Sequence, residues 1–223
     1  MKNNSKIIRK NILSRLRKFP RIKEEYPEND SVPISKNFSH EIKIKKFKNT
    51  IEASRGEVYL CSEKNMLNVL ISVVKSKKIK KIIYGGKNKL GEKIVGKFQT
   101  KSIDIPKLVK YDKPIEEIRD LLFDVDASIT TTIGGIAETG TLILSPTPEE
   151  PRLMSLLPEV HFAVLYAKKI YNNFIEAINM EKWNKEMPSN LLLISGPSKT
   201  ADIEQTLVYG VHGCKELVVF LVK

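Results

Sequence analysis

The sequence has few cysteines, few aromatics and no long apolar run, and each shortage excludes a class of protein. Only Cys61 and Cys214 occur in 223 residues. Two thiols so far apart make no disulfide framework, and a reducing compartment suits them best. Neither belongs to the C-x-x-C spacing that zinc or an iron–sulfur cluster requires, so no metal site is expected on this chain. Aromatic residues are 7% of the chain. They do not interleave with the basic residues, as a base-stacking platform would need. No run of about 18 apolar residues is present to cross a bilayer. Lys2, Lys6, Arg9 and Lys10 open the chain without an uninterrupted apolar core or a cleavage site, which argues against a signal peptide. These absences together predict a cytoplasmic protein. Acidic residues are also short, 26 against 38 basic ones, giving a formal charge of +12. The lysines are spread over most segments beside many isoleucines and asparagines. They read as compositional bias, and no nucleic-acid partner is expected.

What is present is an ordinary globular composition, 41% hydrophobic and 29% charged, enough for one sizeable core. Residues 5–19 place Ile8, Ile12, Leu16 and Phe19 at helical spacing with Ser5 as N-cap and a basic opposite face. Such a helix can lie on a membrane, but more often packs its apolar stripe on its own domain or a partner. Pro20, Pro27 and Pro33 then mark an extended linker. The expected organisation is a helix and linker over 1–37 and an α/β domain over 38–223.

In that domain the pattern predicts a helix over 41–54 ending at Gly56, a strand over 57–61, and a helix capped by Ser62. A strand follows over 80–84, closed by Gly85-Gly86. Residues 87–112 read as irregular, with short strands near Ile94 and Ile103, and Pro114 opens another helix. Strands are expected at 125–129, 141–145, 160–166, 191–195 and 217–222, and helices at 169–180 and 200–209. The apolar runs Leu191–Ile194 and Leu217–Val222 read as strands buried on both faces.

Four segments carry chemistry. In Thr130–Thr141 three glycines allow a tight turn and close approach to a ligand, and Thr130, Thr139 and Thr141 offer short hydroxyl donors beside Gly140. Glu138 stands mid-turn, where a carboxylate can act as nucleophile or base, or be held by neighbouring amides. In Pro151–His161, Arg152 can clamp a carboxylate or phosphate, or simply meet Glu149 or Glu150, and His161 reads as a structural histidine. In Ser195–Glu204, a strand, a loop with Ser195 and Gly196, and a helix beginning near Ser198, Lys199 and Thr200 make an anion site. Alternatively Ser198 or Thr200 is only the N-cap. In Tyr209–Cys214, His212 sits between Gly210 and Gly213 on a tight loop. Glu138, Arg152, Lys199 and His212 are expected around one pocket at strand ends.

Taken together, I-A-E-T-G-T-L-I-L at 136–144, R-L-M-S-L-L-P-E-V-H at 152–161, S-G-P-S-K-T-A-D-I-E at 195–204 and G-V-H-G at 210–213 resemble the lactate utilization protein C family, also called the YkgG or LUD-domain family. The likeness covers residues 128–222. The chain departs from the family pattern at Thr131, Thr132 and Ile133, and at Cys214, where the family has Pro. The resemblance implies a layered α/β sheet with flanking helices, akin to the NagB, ribose-5-phosphate isomerase and CoA-transferase group, with an N-terminal helical extension. It implies a component of L-lactate oxidation to pyruvate, beside iron–sulfur partner proteins that carry the clusters, with no cofactor on this chain and a small anionic ligand. An alternative is a stand-alone enzyme acting through Glu138 on an anionic substrate such as a CoA thioester, a phosphosugar or a folate-like molecule.

Overall fold

The structure, a computed structural model, describes residues 2–18, 38–99, 106–113, 115–183, 185–201, 207–210 and 213–223. They divide into two compact units, Met1–Ile34 and Ser35–Lys223. The first holds a single described helix, α1 (Lys2–Lys18), with Arg15, Arg17 and Lys18 in its last turn. Cations there complement the negative end of the helix dipole. The helix begins at Lys2, so Ser5 lies inside it and is not its cap. The expected linker falls outside the described residues.

The second unit runs α2 (His40–Ala53), β1 (Glu57–Cys61), α3 (Met66–Ser76), β2 (Lys81–Gly85), α4 (Lys89–Gln99), β3 (Lys107–Tyr111), α5 (Ile115–Asp124), β4 (Ala127–Thr131), β5 (Gly134–Ile136), β6 (Thr141–Leu144), β7 (Val160–Tyr166), β8 (Ile170–Tyr171), α6 (Phe174–Met180), β9 (Leu192–Ile194), β10 (Lys199–Ala201), β11 (Leu207–Tyr209) and β12 (Glu216–Val222). Six strands form one sheet in the order β1-β12-β7-β4-β2-β3, and every pairing in it is parallel. Parallel neighbours need crossovers, which α3, α4 and α5 supply. A smaller sheet, β8-β5-β6-β9, and a hairpin, β10-β11, complete the unit. No described helix is long and apolar enough to cross a membrane.

Alternation along β12 explains why this sheet is covered on both sides. Val218, Phe220 and Val222 pack with Leu70, Val73 and Val74 of α3 and with Ile94 of α4. Leu217, Val219 and Leu221 point the other way, to Phe47 and Ile51 of α2 and to Leu142 and Leu144 of the smaller sheet. A strand buried on both faces must read as a continuous apolar run, and β12 does. The α/β reading, a layered sheet flanked by helices, is what the structure shows.

Four local expectations are corrected. Residues 89–99 are helical, because Leu90, Ile94 and Phe98 recur at i, i+4 and i+8 and are buried as one face. The helix expected at 169–180 is shortened to α6, since Ile170 and Tyr171 pair with β5 as β8. Leu192–Ile194 is only half buried, with Leu193 49% exposed, because β9 is the edge of the smaller sheet. No helix begins at 198–200. Lys199–Ala201 is a strand paired antiparallel with Leu207–Tyr209, so hairpin pairing overrides the apparent cap. In addition, Asn65 rather than Ser62 stands at the N-cap of α3.

Three helices close in the same way. After α2, Gly56 N–H donates to Ile51 C=O and Arg55 N–H to Glu52 C=O. After α3, Ile79 and Lys78 donate to Val74 and Lys75, and after α6, Trp183 and Lys182 donate to Ile178 and Asn179. This paired arrangement puts one residue in the left-handed region, usually glycine. Here Arg55 (φ 67°), Lys78 (φ 54°) and Lys182 (φ 59°) occupy it. The glycine expected to end α2, Gly56, is one position too late.

Candidate functional site: a cleft at the end of helix α2

The turn between β5 and β6 lies directly on α2. Gly140 has φ 60°, and a Cβ there would stand 2.5 Å from the backbone nitrogen of Ile51. Only glycine lets the turn approach so closely. The next strand, β6, pairs antiparallel with β9, Leu142 opposite Ile194. That register carries Ser195 to Thr141, whose hydroxyls lie 2.7 Å apart, and Thr139 and Thr141 hydroxyls lie 2.6 Å apart. Gly196 then passes so near α2 that a Cβ would meet the Ser54 carbonyl oxygen at 2.7 Å. Between the end of α2 and the 195–199 loop an open cleft of about 530 Å³ remains, lined among others by Ser54, Arg55, Ser195, Gly196, Pro197 and Lys199.

Thr139, Gly140, Thr141, Ser195, Gly196 and Lys199 therefore belong to one region. The backbone cradle expected at Ser198 does not. Its N–H donates to Cys214 C=O at 2.9 Å and its C=O accepts from Gly210 N–H at 3.1 Å. Of Thr200 only the backbone is described, opposite Val208, and His212 lies outside the described residues. Gly213 lines a separate cleft of about 470 Å³ with Gly210, Lys215, Leu156 and Phe123. Glu138 is exposed. Its N–H donates to Asn172 C=O at 3.0 Å, and it lines neither cleft.

Thr130 and Arg152 are elsewhere, at the carboxyl end of β4. Thr130 and Thr131 end that strand rather than opening a loop. They line a small cavity of about 10 Å³ with Glu150, Arg152 and Ser155, room for about one water. Glu150 accepts hydrogen bonds from Thr131 N–H (2.9 Å), Thr131 Oγ1 (2.6 Å) and Asn88 Nδ2. Burial pushes its carboxyl above the usual range, against the pull of these donors. Here the connections from β2 and β4 leave in opposite directions, the crevice where open α/β sheets often collect ligands. Arg152 and Lys199 thus line separate cavities, and the single expected pocket is divided.

Sequence reasoning missed Ser54, Arg55, Asn88 and Glu150. Arg55 carries no local signal, because its place in the cleft comes from the way α2 ends. Glu150 had one, as an acidic residue in a Pro-rich turn after a strand. Among the described residues, no group of three or more His, Cys, Asp and Glu is arranged to hold a metal ion. The thiols do not suit a cluster. Cys61 pairs in register with Val222, and Cys214 precedes Glu216, so they lie at opposite ends of β12, roughly 25 Å apart at a strand rise of about 3.3 Å per residue. Both are buried, and burial raises both, Cys214 to about 11.

A six-stranded parallel sheet covered on both faces, with a second small sheet beside it, defines a layered α/β protein. The chain belongs to the LUD domain family, whose model matches residues 44–222. It is 33% identical over 219 residues to uncharacterized protein NMB1437 of Neisseria meningitidis, covering 96% of this chain and 93% of that one. It is 29% identical over 167 residues to lactate utilization protein C 1 of Bacillus mycoides, covering 73% and 71%. The crystal structure of a DUF162 family protein from Deinococcus radiodurans superposes with a TM-score of 0.60 at 18% identity, over 84% of this chain and all of that one. That likeness shows a shared fold.

Proposed function

We propose that the protein serves lactate utilization, as a component of a system that oxidises L-lactate to pyruvate in the cytoplasm beside iron–sulfur partner proteins, with no redox centre of its own. The observation that carries this is membership of the LUD domain family together with similarity, over 73% of this chain and 71% of the relative, to a protein named lactate utilization protein C 1. The cysteine geometry supports it. Oxidising lactate releases two electrons and two protons, and two buried thiols at opposite ends of β12 offer no cluster site to receive them. The electrons then pass to clusters on partners, and this chain supplies a binding cleft or an assembly surface.

The test is genetic. In a host lacking any second lactate dehydrogenase, deleting the gene should abolish growth on L-lactate, leave growth on pyruvate intact, and be reversed by a plasmid copy. Normal growth of the deletant on L-lactate rejects the role. The partner part has its own readout. The tagged protein, purified from its native host under anaerobic conditions, should bring down Cys-rich iron-containing proteins, and their absence rejects that part alone.

A further inference from the structure

We propose that α1 (Lys2–Lys18) docks on the surface of an anionic lipid bilayer, with its isoleucine stripe at the headgroup boundary and its arginines on lipid phosphates. This stands independently of the lactate role. The helix contains seven lysines and arginines and no aspartate or glutamate. At 3.6 residues per turn, Ile8, Ile12 and, by sequence, Leu16 follow one another along one face. Ile8 and Ile12 are 57% and 54% exposed. Arg9 and Arg15 border that stripe on its two sides. Asn11 and Ser14 stand opposite it, the Ser14 hydroxyl donating to Asn11 C=O at 2.9 Å.

A short amphipathic helix takes most of its stability from whatever its apolar face packs against. Charge decides what that is. A second copy of α1 brings seven more cations and no anion, so two such helices repel along their length. The rest of this chain is also net positive. Setting aside the seven cations of α1 leaves 31 lysines and arginines against 26 aspartates and glutamates. An anionic bilayer supplies both missing partners together, acyl chains for the stripe and a layer of phosphates for the cations.

A basic face joined to an apolar one marks a helix that lies in the plane of the membrane interface. Arginine suits the border positions. Its stem covers apolar surface while its planar fork reaches outward to phosphate oxygens. Each cation held near an anionic lipid surface strengthens binding about fivefold. With seven charges in 17 residues, α1 is built to lie on a bilayer, and no described helix is long and apolar enough to cross one.

The experiment is co-sedimentation of the purified full chain with vesicles of phosphatidylcholine alone, or of three parts phosphatidylcholine to one of phosphatidylglycerol. It is run at about 0.1 M and about 1 M salt, between which the Debye length falls from about 10 to about 3 Å. The chain should bind the phosphatidylglycerol vesicles at the lower salt, and at least tenfold more weakly at the higher salt or without the anionic lipid. Serine matches isoleucine in helix propensity, and glutamine matches arginine, so the double variants Ile8→Ser/Ile12→Ser and Arg9→Gln/Arg15→Gln keep the helix. Each should weaken binding about tenfold or more, and Ser14→Ala should leave it unchanged. Vesicles should slow amide hydrogen exchange in residues 7–18 and leave β12 as it was. No binding to the phosphatidylglycerol vesicles overturns the proposal, as does binding that survives Ile8→Ser/Ile12→Ser. Exchange in residues 7–18 that is already as slow as in β12 without vesicles means that the stripe is covered by protein, and overturns it too. Capture of duplex DNA with no capture of vesicles assigns the cations to nucleic acid and overturns the lipid assignment.

Discussion

Nε2 of His161 lies 2.8 Å from Oγ1 of Thr130, on the buried side of the sheet where β7 runs beside β4. Ser128 stands opposite His161 in register. Among the described residues, the other ring nitrogen of His161 and the Ser128 hydroxyl have no hydrogen-bond partner. The imidazole is fully buried, and desolvation drives it down from 6.5 to about 4. It is neutral in the folded protein across mild acid, whereas in the unfolded chain it takes a proton below about 6.5. The unfolded state then binds more protons, so stability falls as pH drops from 6.5 towards 4. Each pH unit costs about 1.4 kcal/mol, on the order of 3 kcal/mol over the interval. Glu150 acts in the opposite sense, since its raised carboxyl gains a proton more readily when folded. The difference between wild type and His161→Gln isolates the histidine. Urea midpoints at pH 7.5 and 4.5 should fall clearly less in His161→Gln than in wild type, and equal falls would show that His161 is not the acid-sensitive group.

Glu150 fastens the loop after β6 to the end of β4. Removing the buried Glu150 side chain leaves Thr131 N–H and the half-buried Asn88 without their acceptor. An unsatisfied buried donor costs about 1–3 kcal/mol. Glu150→Ala should therefore lower stability by about 2 kcal/mol or more, and Glu150→Gln, which keeps an acceptor oxygen, by less than about 1 kcal/mol. Chemical denaturation of both variants at pH 7.5 distinguishes them. Equal losses would mean that charge, not acceptance, holds the loop.

The sheet was legible because its central strands cannot hide. The run Leu217–Val222 is apolar throughout, and only a strand covered on both faces has use for that. α4 was misread because Gly91 and Gly96 and a cluster of lysines masked its i, i+4 stripe of Leu90, Ile94 and Phe98. Ser198-Lys199-Thr200 reads locally as a helix cap, yet pairing with Leu207–Tyr209, several residues on, makes it a strand. Local propensity has no view of such a partner. The Gly-rich turn was visible as a ligand-facing element, but the direction in which it presses was not. It meets α2 through Gly140, and so the cleft opens beside Arg55, a residue with no motif around it.

Lys78 and Lys182 hold backbone conformations that an L-residue with a Cβ adopts only at a cost of about 1 kcal/mol. Both are exposed, so little packing is lost on truncation. Lys78→Gly and Lys182→Gly should each stabilise the protein by about 0.5–1 kcal/mol, and the two effects should add, since α3 and α6 end on separate elements. Thermal melts of the single and double variants check this. A decrease in both single variants would show that the lysine side chains themselves hold the helix ends.

Gly140 is the position where a single methyl group should do most harm to the cleft. Two penalties coincide there. The φ of 60° strains any residue with a Cβ, for about 1 kcal/mol. The added carbon would also stand 2.5 Å from Ile51 N and 2.9 Å from Thr50 C, both main-chain atoms of a helix that cannot swing aside. Relief requires the turn to lift from α2, which draws Thr141 away from Ser195 and opens the packing around the buried Ile51. Gly140→Ala should therefore lose about 2–4 kcal/mol of stability. It should also increase amide hydrogen exchange in residues 137–143 and 193–196 while leaving β2 and β3 unchanged. Gly96→Ala is the matched control, because its Cβ would meet nothing within 4 Å and a helix interior favours alanine over glycine. It should be neutral or stabilising by up to about 1 kcal/mol. If both alanine variants behave alike, the turn does not depend on its contact with α2.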